Sequence, residues 1–252
     1  MTLWQNGGLV TSFHFLHYLD PDYHLRLRFY LSDSTDAGKI LNQIHISCDE
    51  LLVEDLIWKV EVGTYEPEYE RYGEERMSMV ESWFEIDSLF WLEEVYRQSK
   101  NDTSDIWRCA ARSIDVFLED FGLNIDGKIK VVSFLRKSSI ALFGLNTTMK
   151  GQLDNKYRKL SENLSDFIEN GIEESDEYLI RRSIDIKGFV SNILSTFETL
   201  ELLVESQMLP DLIHMSLNRA FRTRHRMQEL VVYDFLGRYY ESKKAKEKKV
   251  TN

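Results

Sequence analysis

The chain has 252 residues, of which 43% are hydrophobic and 12% aromatic, a composition that excludes a disordered protein and supplies ample apolar material for a core. A net charge of −11 argues against a protein whose overall purpose is to bind nucleic acid. The two cysteines, Cys48 and Cys109, lie far apart in the sequence and exclude a disulfide framework and a cysteine-rich zinc site.

Several classes of protein lack support in the sequence. Residues 1–10 have neither the basic region nor the apolar stretch of a secretory signal, and no apolar run approaches the ~18–20 residues that span a bilayer, so we expect a cytoplasmic protein. Glycine-rich phosphate loops, a GxSxG nucleophile elbow, an HExxH motif and paired acidic metal spacings are also absent from the sequence. We therefore expect neither a metal ion nor an organic cofactor.

The predicted elements begin with a β-hairpin. Residues 12–19 and 23–32 are two runs rich in aromatic side chains, and Asp20-Pro21-Asp22 separates them. Proline fixes its own φ angle and the flanking aspartates favour turn geometry, so this tripeptide predicts a tight connection between antiparallel strands.

The second strand of this hairpin contains the sequence HLRLRFYL, whose side chains alternate between two faces. The apolar face, which we expect to point into the core, consists of Leu25, Leu27, Phe29 and Leu31. The opposite face consists of His24, Arg26 and Arg28. From the strand alone, this face is either a set of solvated edge charges or an anion site, because guanidinium groups bind carboxylate or phosphate through paired hydrogen bonds.

Downstream, the pattern changes from mixed to helical. Residues 34–54 predict a helix with Ser34 as its N-cap, and the alternating, β-branched run 56–65 predicts a third strand of the same sheet. Residues 128–135 fit either a strand or the start of a helix. Further helices are predicted at 74–98, 103–121, 150–170, 176–205, 208–222 and 226–241.

Together, these elements predict an α+β fold in which a small, mainly antiparallel sheet from the N-terminal third packs against a largely helical C-terminal two-thirds. No low-complexity linker divides the chain, so we expect a single domain over residues 1–242. Residues 243–252 form a basic tail that we expect to be disordered.

Two further stretches concentrate polar side chains. YEPEYERYG at 65–73 follows the predicted third strand, and it is either a charged loop or a means of bringing Arg71 to the arginine strand. LIHMSLNRAF at 212–221 places His214 and Asn218 one helical turn apart on a shared face. A lone helical histidine is more often structural than catalytic, but this one stands at the head of a basic run, which consists of Arg219, Arg222, Arg224 and Arg226.

Taken together and in this order, three segments carry a resemblance: YLDPDYHLRLRFYL, then YEPEYERYGEE with ESWFEIDS after it, and finally LIHMSLNRAF. The chain resembles, from about Ser12 to about Phe221, the C-terminal domain of lantibiotic dehydratases. That domain also occurs alone as the thiopeptide-type bacteriocin biosynthesis protein. Each motif is weak by itself, and their combination is specific.

The resemblance implies an elimination reaction. In the family, a separate domain first esterifies a peptide Ser or Thr with glutamate taken from glutamyl-tRNA. The C-terminal domain, which this chain resembles, then expels the glutamate to leave dehydroalanine or dehydrobutyrine. The family's elimination residues fall on Arg26, Arg28, Arg71 and His214. We expect His214, Arg28 and Arg71 to be catalytic, with His214 as the base at Cα and cations beside the carbonyl oxygen. We expect Arg26, His24 and Asn218 to bind substrate, and His24 is a competing candidate for the base.

The resemblance also implies the partners, which are a ribosomally synthesised precursor peptide and a glutamylating protein, without a membrane. A homodimer is an open possibility. Two other functions stay open: a thiopeptide pyridine synthase, which performs a formal [4+2] cycloaddition, and a non-catalytic subunit that binds a leader peptide along a sheet edge. Direct binding of nucleic acid through the segment 219–226 is disfavoured by the acidic composition.

Overall fold

The structure is a computed structural model, which describes residues 8–100, 106–171 and 173–250. The chain divides into two compact units that meet in sequence at Glu85 and Ile86. One carries the only sheet of the described residues and the other is helical, so the predicted α+β class is confirmed. In the part of the chain that the structure describes, no helix is both long enough and apolar enough to cross a membrane.

The N-terminal unit begins with the predicted hairpin. Strands β1 (Val10–Tyr18) and β2 (His24–Leu31) pair antiparallel across the Asp20-Pro21-Asp22 turn, which confirms the hairpin. The other elements of this unit are helix α1 (Ala37–Val53), the single turn α2 (Tyr69–Tyr72) and the first half of helix α3 (Glu74–Lys100).

The expectation for the two faces of β2 is wrong along its first half. Leu25 and Leu27 are 49% and 43% exposed, whereas Arg26 and Arg28 are half-buried. The register explains the difference, because Arg28 lies opposite His14, a buried side chain whose ring packs against Phe84 of α3. Alternation separates the two faces of a strand, but only tertiary packing decides which face another element covers.

The predicted third strand is also wrong. Residues 57–68 belong to no helix or strand, and within the described residues the sheet has two strands. The prediction of Ser34 as a helix cap fails as well. Asp33 is the cap, since its side chain accepts a hydrogen bond from the backbone N–H of Thr35 at 2.8 Å and starts a 3₁₀ turn before α1.

The C-terminal unit contains the second half of α3 and eight further helices in the described residues. They are α4 (Ile106–Asp120), α5 (Ile125–Phe143), α6 (Thr147–Asn170), α7 (Glu173–Asp185), α8 (Lys187–Ser195), α9 (Leu200–Glu205), α10 (Met208–Ala220) and α11 (His225–Val250). The ambiguous run 128–135 lies inside α5. The basic tail, expected to be disordered, instead continues α11 to Val250.

The predicted helix over 176–205 is broken into three. The first break follows Asp185, and the second lies between Ser195 and Leu200, where the Thr199 hydroxyl caps α9 by accepting a hydrogen bond from the Leu202 N–H at 3.2 Å. The stripe predicted on α4 is confirmed, with one member only partly buried. It consists of Ile106, Ala110, Ile114, Phe117 and Phe121, and the last four are buried. Gly122 ends that helix with a φ of +72°.

A buried ionic cluster joins three helices of the C-terminal unit. Asp87 of α3, which is fully buried, accepts hydrogen bonds from Ser216 at 2.8 Å and from Arg182 at 3.3 Å on one oxygen, and from Arg219 at 3.1 Å on the other. Arg219 also donates to the Ser88 hydroxyl at 3.0 Å. Both guanidiniums are almost completely buried, so the carboxylate neutralises charges that would otherwise be very costly inside a protein.

We expect Asp87→Ala to lower the free energy of unfolding by about 3–5 kcal/mol, because it leaves two buried cations without their carboxylate. Urea denaturation followed by circular dichroism measures this change. As a control, Glu201→Ala removes an exposed partner of Lys130 and is expected to change stability by less than about 1 kcal/mol. Equal stability of the two variants would contradict the role assigned to the cluster.

Candidate functional site

The arginine face of β2 is supported by aromatic rings. The guanidinium carbon of Arg26 lies 3.7 Å from the ring centroid of Tyr18, and that of Arg28 lies 5.2 Å from the ring centroid of Tyr65. Such stacking holds a guanidinium by cation–π attraction without consuming its N–H groups. Within the described ranges, neither Arg26 nor Arg28 forms an ion pair with a carboxylate. This face therefore carries two half-buried positive charges that remain available to an anion.

His24 is placed to position Arg26. Its Nδ1 lies 2.8 Å from the backbone carbonyl of Asp22, which can only accept, so Nδ1 carries the proton. The lone pair on Nε2 then accepts the N–H of Arg26 Nε at 3.0 Å. Both ring nitrogens are thus engaged, and this geometry disfavours His24 as the base.

The ring that Arg28 stacks on, that of Tyr65, belongs to a small hydrogen-bonded network of tyrosine hydroxyls. The Tyr65 hydroxyl donates to Glu81 of α3 at 2.6 Å, and the ring of His14 packs edge-on against Tyr65. Burial, reinforced by the Glu81 carboxylate, raises the pKa of both Tyr65 and Tyr30 well above the ordinary value for tyrosine. Both phenols therefore keep their protons at neutral pH, and the network that fixes the Tyr65 ring stays intact.

Arg71 comes from a different element, the single turn α2. Its Nη1 forms an ion pair with Glu68 at 2.8 Å, and the side chain is 37% exposed. The neighbouring Tyr72 is buried, and its ring packs against Phe84, which in turn contacts His14 opposite Arg28. The structure thus places Arg26 and Arg28 on one strand and connects Arg71 to that strand through a row of packed rings.

His214 lies in the C-terminal unit, on α10, and is paired with Glu229 of α11. Its Nδ1 is 2.9 Å from the Glu229 carboxylate and 3.2 Å from Nη1 of Arg226. A carboxylate can only accept a hydrogen bond and a guanidinium can only donate one, so the two contacts compete for Nδ1. The shorter contact, to Glu229, favours a proton on Nδ1, and the Arg226 cation is also attracted to the same Glu229 oxygen at 3.7 Å. The result is an imidazole whose Nε2 has a lone pair.

The His214–Glu229 pair has the geometry of an oriented general base. Glu229 is buried, and the His214 side chain is 17% exposed. Burial raises the pKa of Tyr233 far above its ordinary value, so its phenol stays protonated 3.5 Å from Glu229. A carboxylate behind Nδ1 fixes the tautomer and stabilises the imidazolium that forms when Nε2 takes a proton. Asn218 is half-buried and lies one turn further along the same helix.

The basic run that follows His214 is not one surface. Arg219 is buried against Asp87 and is structural, whereas Arg222, Arg224 and Arg226 are exposed. Arg224 adopts a left-handed conformation with a φ of 49°, in the turn between α10 and α11.

Comparison with known proteins identifies the family and the fold of the chain. A family model described as "Lantibiotic biosynthesis dehydratase C-term" matches residues 2–240, so the chain belongs to this family of lantibiotic biosynthesis. Among solved structures, the chain is similar to the tRNA-dependent lantibiotic dehydratase MibB from Microbispora sp. 107891, with a TM-score of 0.69 and 19% sequence identity. The match covers 98% of this chain and 26% of the MibB chain, so the chain spans about a quarter of that protein's length. Comparison with curated proteins gives no match.

Sequence reasoning missed the groups that support the predicted site residues. The rings of Tyr18 and Tyr65 lie against the guanidiniums of Arg26 and Arg28. Glu229 orients His214. No linear pattern in the sequence predicts either contact. One signal was present, because Glu229 is a carboxylate directly before the apolar run LVVY. A buried acid of this kind needs a partner.

The tautomer of His214 is a direct test of its pairing with Glu229. We expect nitrogen-15 NMR of the neutral imidazole to show the Nδ1–H form, and we expect Glu229→Ala to shift His214 toward the Nε2–H form, which is commoner in free histidine. His225 provides an internal control, because its Nδ1 faces the Phe221 carbonyl at 2.6 Å and should keep its proton in both proteins. An Nε2–H tautomer of His214 in the unaltered protein would contradict the assignment.

Proposed function

We propose that this chain removes glutamate from glutamylated Ser or Thr residues of a ribosomally synthesised precursor peptide, leaving dehydroalanine or dehydrobutyrine. Family membership supports the reaction class. The observation that carries the proposal is the pair of half-buried guanidiniums, Arg26 and Arg28, which stack on aromatic rings and form no carboxylate ion pair within the described residues. A fold of net charge −11 that leaves these cations uncompensated is suited to an anionic substrate.

The arginines bind the departing group. A glutamate esterified through its side chain keeps a free α-carboxylate, and the planar fork of a guanidinium matches a carboxylate through two parallel hydrogen bonds. Arg26 is oriented for this purpose by His24 and Tyr18, and Arg28 by Tyr65. We assign the α-carboxylate to Arg26 with Arg28, and we assign stabilisation of the peptide oxygen to Arg28 and Arg71.

Elimination begins at the Cα proton of the esterified residue, which is very weakly acidic. His214 Nε2 accepts this proton, and the electron pair of the C–H bond moves toward the neighbouring carbonyl oxygen, which becomes negative. Cations preorganised beside such an oxygen typically lower the barrier by about 3–4 kcal/mol each. The electron pair then forms the Cα=Cβ bond, the Cβ–O bond breaks, and glutamate leaves as a stable carboxylate that needs little acid assistance.

The proposal requires a supply of glutamyl esters. We propose that a glutamylating protein loads the precursor peptide with glutamate from glutamyl-tRNA, and that this chain acts on the loaded peptide. A pyridine synthase is disfavoured because cycloaddition has no glutamate to bind, whereas the arginine face is retained here.

A synthetic precursor peptide carrying a glutamyl ester tests the reaction, with peptide mass followed over time. We expect the unaltered protein to release glutamate, and we expect His214→Ala and Arg28→Ala to slow release by at least about 100-fold, because each removes a group that acts in the transition state. His45→Ala and Arg158→Ala replace exposed residues of the same types and should eliminate at the original rate.

Circular dichroism establishes that each variant is folded. Release at the original rate by both His214→Ala and Arg28→Ala would overturn the site assignment. Binding of the peptide without any change of mass would favour a non-catalytic subunit, and ring formation would favour the pyridine synthase.

A further inference from the structure

Residues 56–64 form an exposed segment with the composition of a strand and without a strand partner. We call this segment, LIWKVEVGT, the lone strand. Its alternate apolar side chains are Leu56, Trp58, Val60 and Val62, all exposed, with Trp58 at 71% and Val62 at 76%. β-Branched and aromatic side chains favour pleated backbone, and large exposed apolar sets usually mark a surface that another molecule covers.

Most backbone N–H and C=O groups of the lone strand also lack a hydrogen-bond partner among the described residues. In the described part of the chain, the only backbone hydrogen bonds of this segment join the N–H groups of Leu56 and Ile57 to the carbonyl of Leu51. From Trp58 to Thr64, the described residues supply no backbone partner. A row of free N–H and C=O groups on an extended apolar segment is a template for pairing with a further strand.

The backbone of the lone strand bends at Leu56 and Trp58 and runs without a bend from Lys59 to Thr64, and the charged face agrees with an extended backbone there. Lys59 Nζ lies 3.0 Å from the Glu61 carboxylate, and the two side chains are exposed. Side chains two residues apart meet in this way when both point to the same face, as in a strand. The lone strand therefore has one apolar face and one face with a single positive and a single negative charge.

We propose that the lone strand pairs antiparallel with its own counterpart in a second copy of this chain, about a two-fold axis through Val60. In this register Lys59 of each copy lies opposite Glu61 of the other, so two cross-strand ion pairs form on the charged face. On the apolar face, Trp58 lies opposite Val62 and Val60 lies opposite itself. Such an arrangement is isologous and closes at two copies.

Charge complementarity selects this register over its neighbours. Sliding the strands by two residues in one direction places Lys59 opposite Lys59, and sliding in the other direction places Glu61 opposite Glu61, and like charges directly opposite each other are destabilising. Sliding by one residue places charged side chains opposite apolar ones. The sequence is therefore complementary to itself in one antiparallel alignment.

Pairing of the lone strand also affects the support of the arginine face. Tyr65, whose ring holds Arg28, directly follows Thr64, so a paired strand fixes the backbone that leads into this support. The dimer itself does not depend on the elimination reaction, and its test does not use enzyme activity.

Reversing the charges of the lone strand tests this pairing most directly. Analytical ultracentrifugation of the full chain measures whether it is a monomer or a dimer and gives the dissociation constant. We expect a dimer for the unaltered protein, and Lys59→Glu or Glu61→Lys should raise its dissociation constant at least about tenfold, because either change converts both ion pairs into like-charge pairs. The double variant, Lys59→Glu with Glu61→Lys, restores opposite charges and should restore the dimer. Both residues are exposed, so the fold is expected to be unaffected.

A cysteine substitution tests the position of the axis. Val60→Cys places two thiols opposite each other and should give a disulfide-linked dimer on mild oxidation, whereas Val62→Cys faces Trp58 and should give far less. A monomer at all concentrations, a dimer indifferent to both single charge reversals, or equal cross-linking by the two cysteine variants would each overturn the proposal. Binding of a peptide or another protein by the lone strand of a monomeric chain would overturn it in favour of that occupant.

Discussion

The C-terminal unit depends on one buried carboxylate, that of Asp87. It neutralises Arg182 and Arg219, and through them it links α3 to α7 and α10. Burial lowers the pKa of Arg182, while Asp87 opposes this effect by favouring the charged guanidinium. Since Arg219 and Ser216 both lie on α10 and both bond to Asp87, this helix cannot rotate without exposing a buried charge to an apolar core. His214 is on the same helix, so the carboxylate also fixes where the imidazole meets Glu229.

Local patterns predicted the parts of the fold that depend on neighbours in sequence. The hairpin followed from the Asp20-Pro21-Asp22 turn between alternating runs, and α4 followed from its apolar stripe. The strand predicted at 56–65 failed because a strand requires a partner, which no local pattern supplies. Local patterns could not predict the Asp87 cluster either, because Arg182 and Arg219 lie 95 and 132 residues from Asp87 in the sequence.

The candidate site shows the same division. Alternation in HLRLR placed Arg26 and Arg28 on one face, and the structure agrees. What alternation could not supply is the support: Tyr65 comes from a loop after α1, and Glu229 comes from a helix after the one that carries His214. The role of His24 also depended on geometry, because a histidine that accepts a hydrogen bond from an arginine looks the same in sequence as one that is free to act as a base.

The buried arginines of the C-terminal unit and the arginines of β2 have different surroundings, and this contrast is the strongest physical reason to regard the β2 face as functional. In the C-terminal unit the buried arginines are compensated by Asp87, as structural guanidiniums must be. On β2 the guanidiniums are held by π faces, which orient a charge without neutralising it. A lysine would not substitute, since an ammonium lacks the planar fork that both stacks on a ring and binds a carboxylate through two bonds. Under the proposed function, the carboxylate of the substrate supplies the counter-charge that the described part of the fold lacks, so that substrate binding neutralises this face.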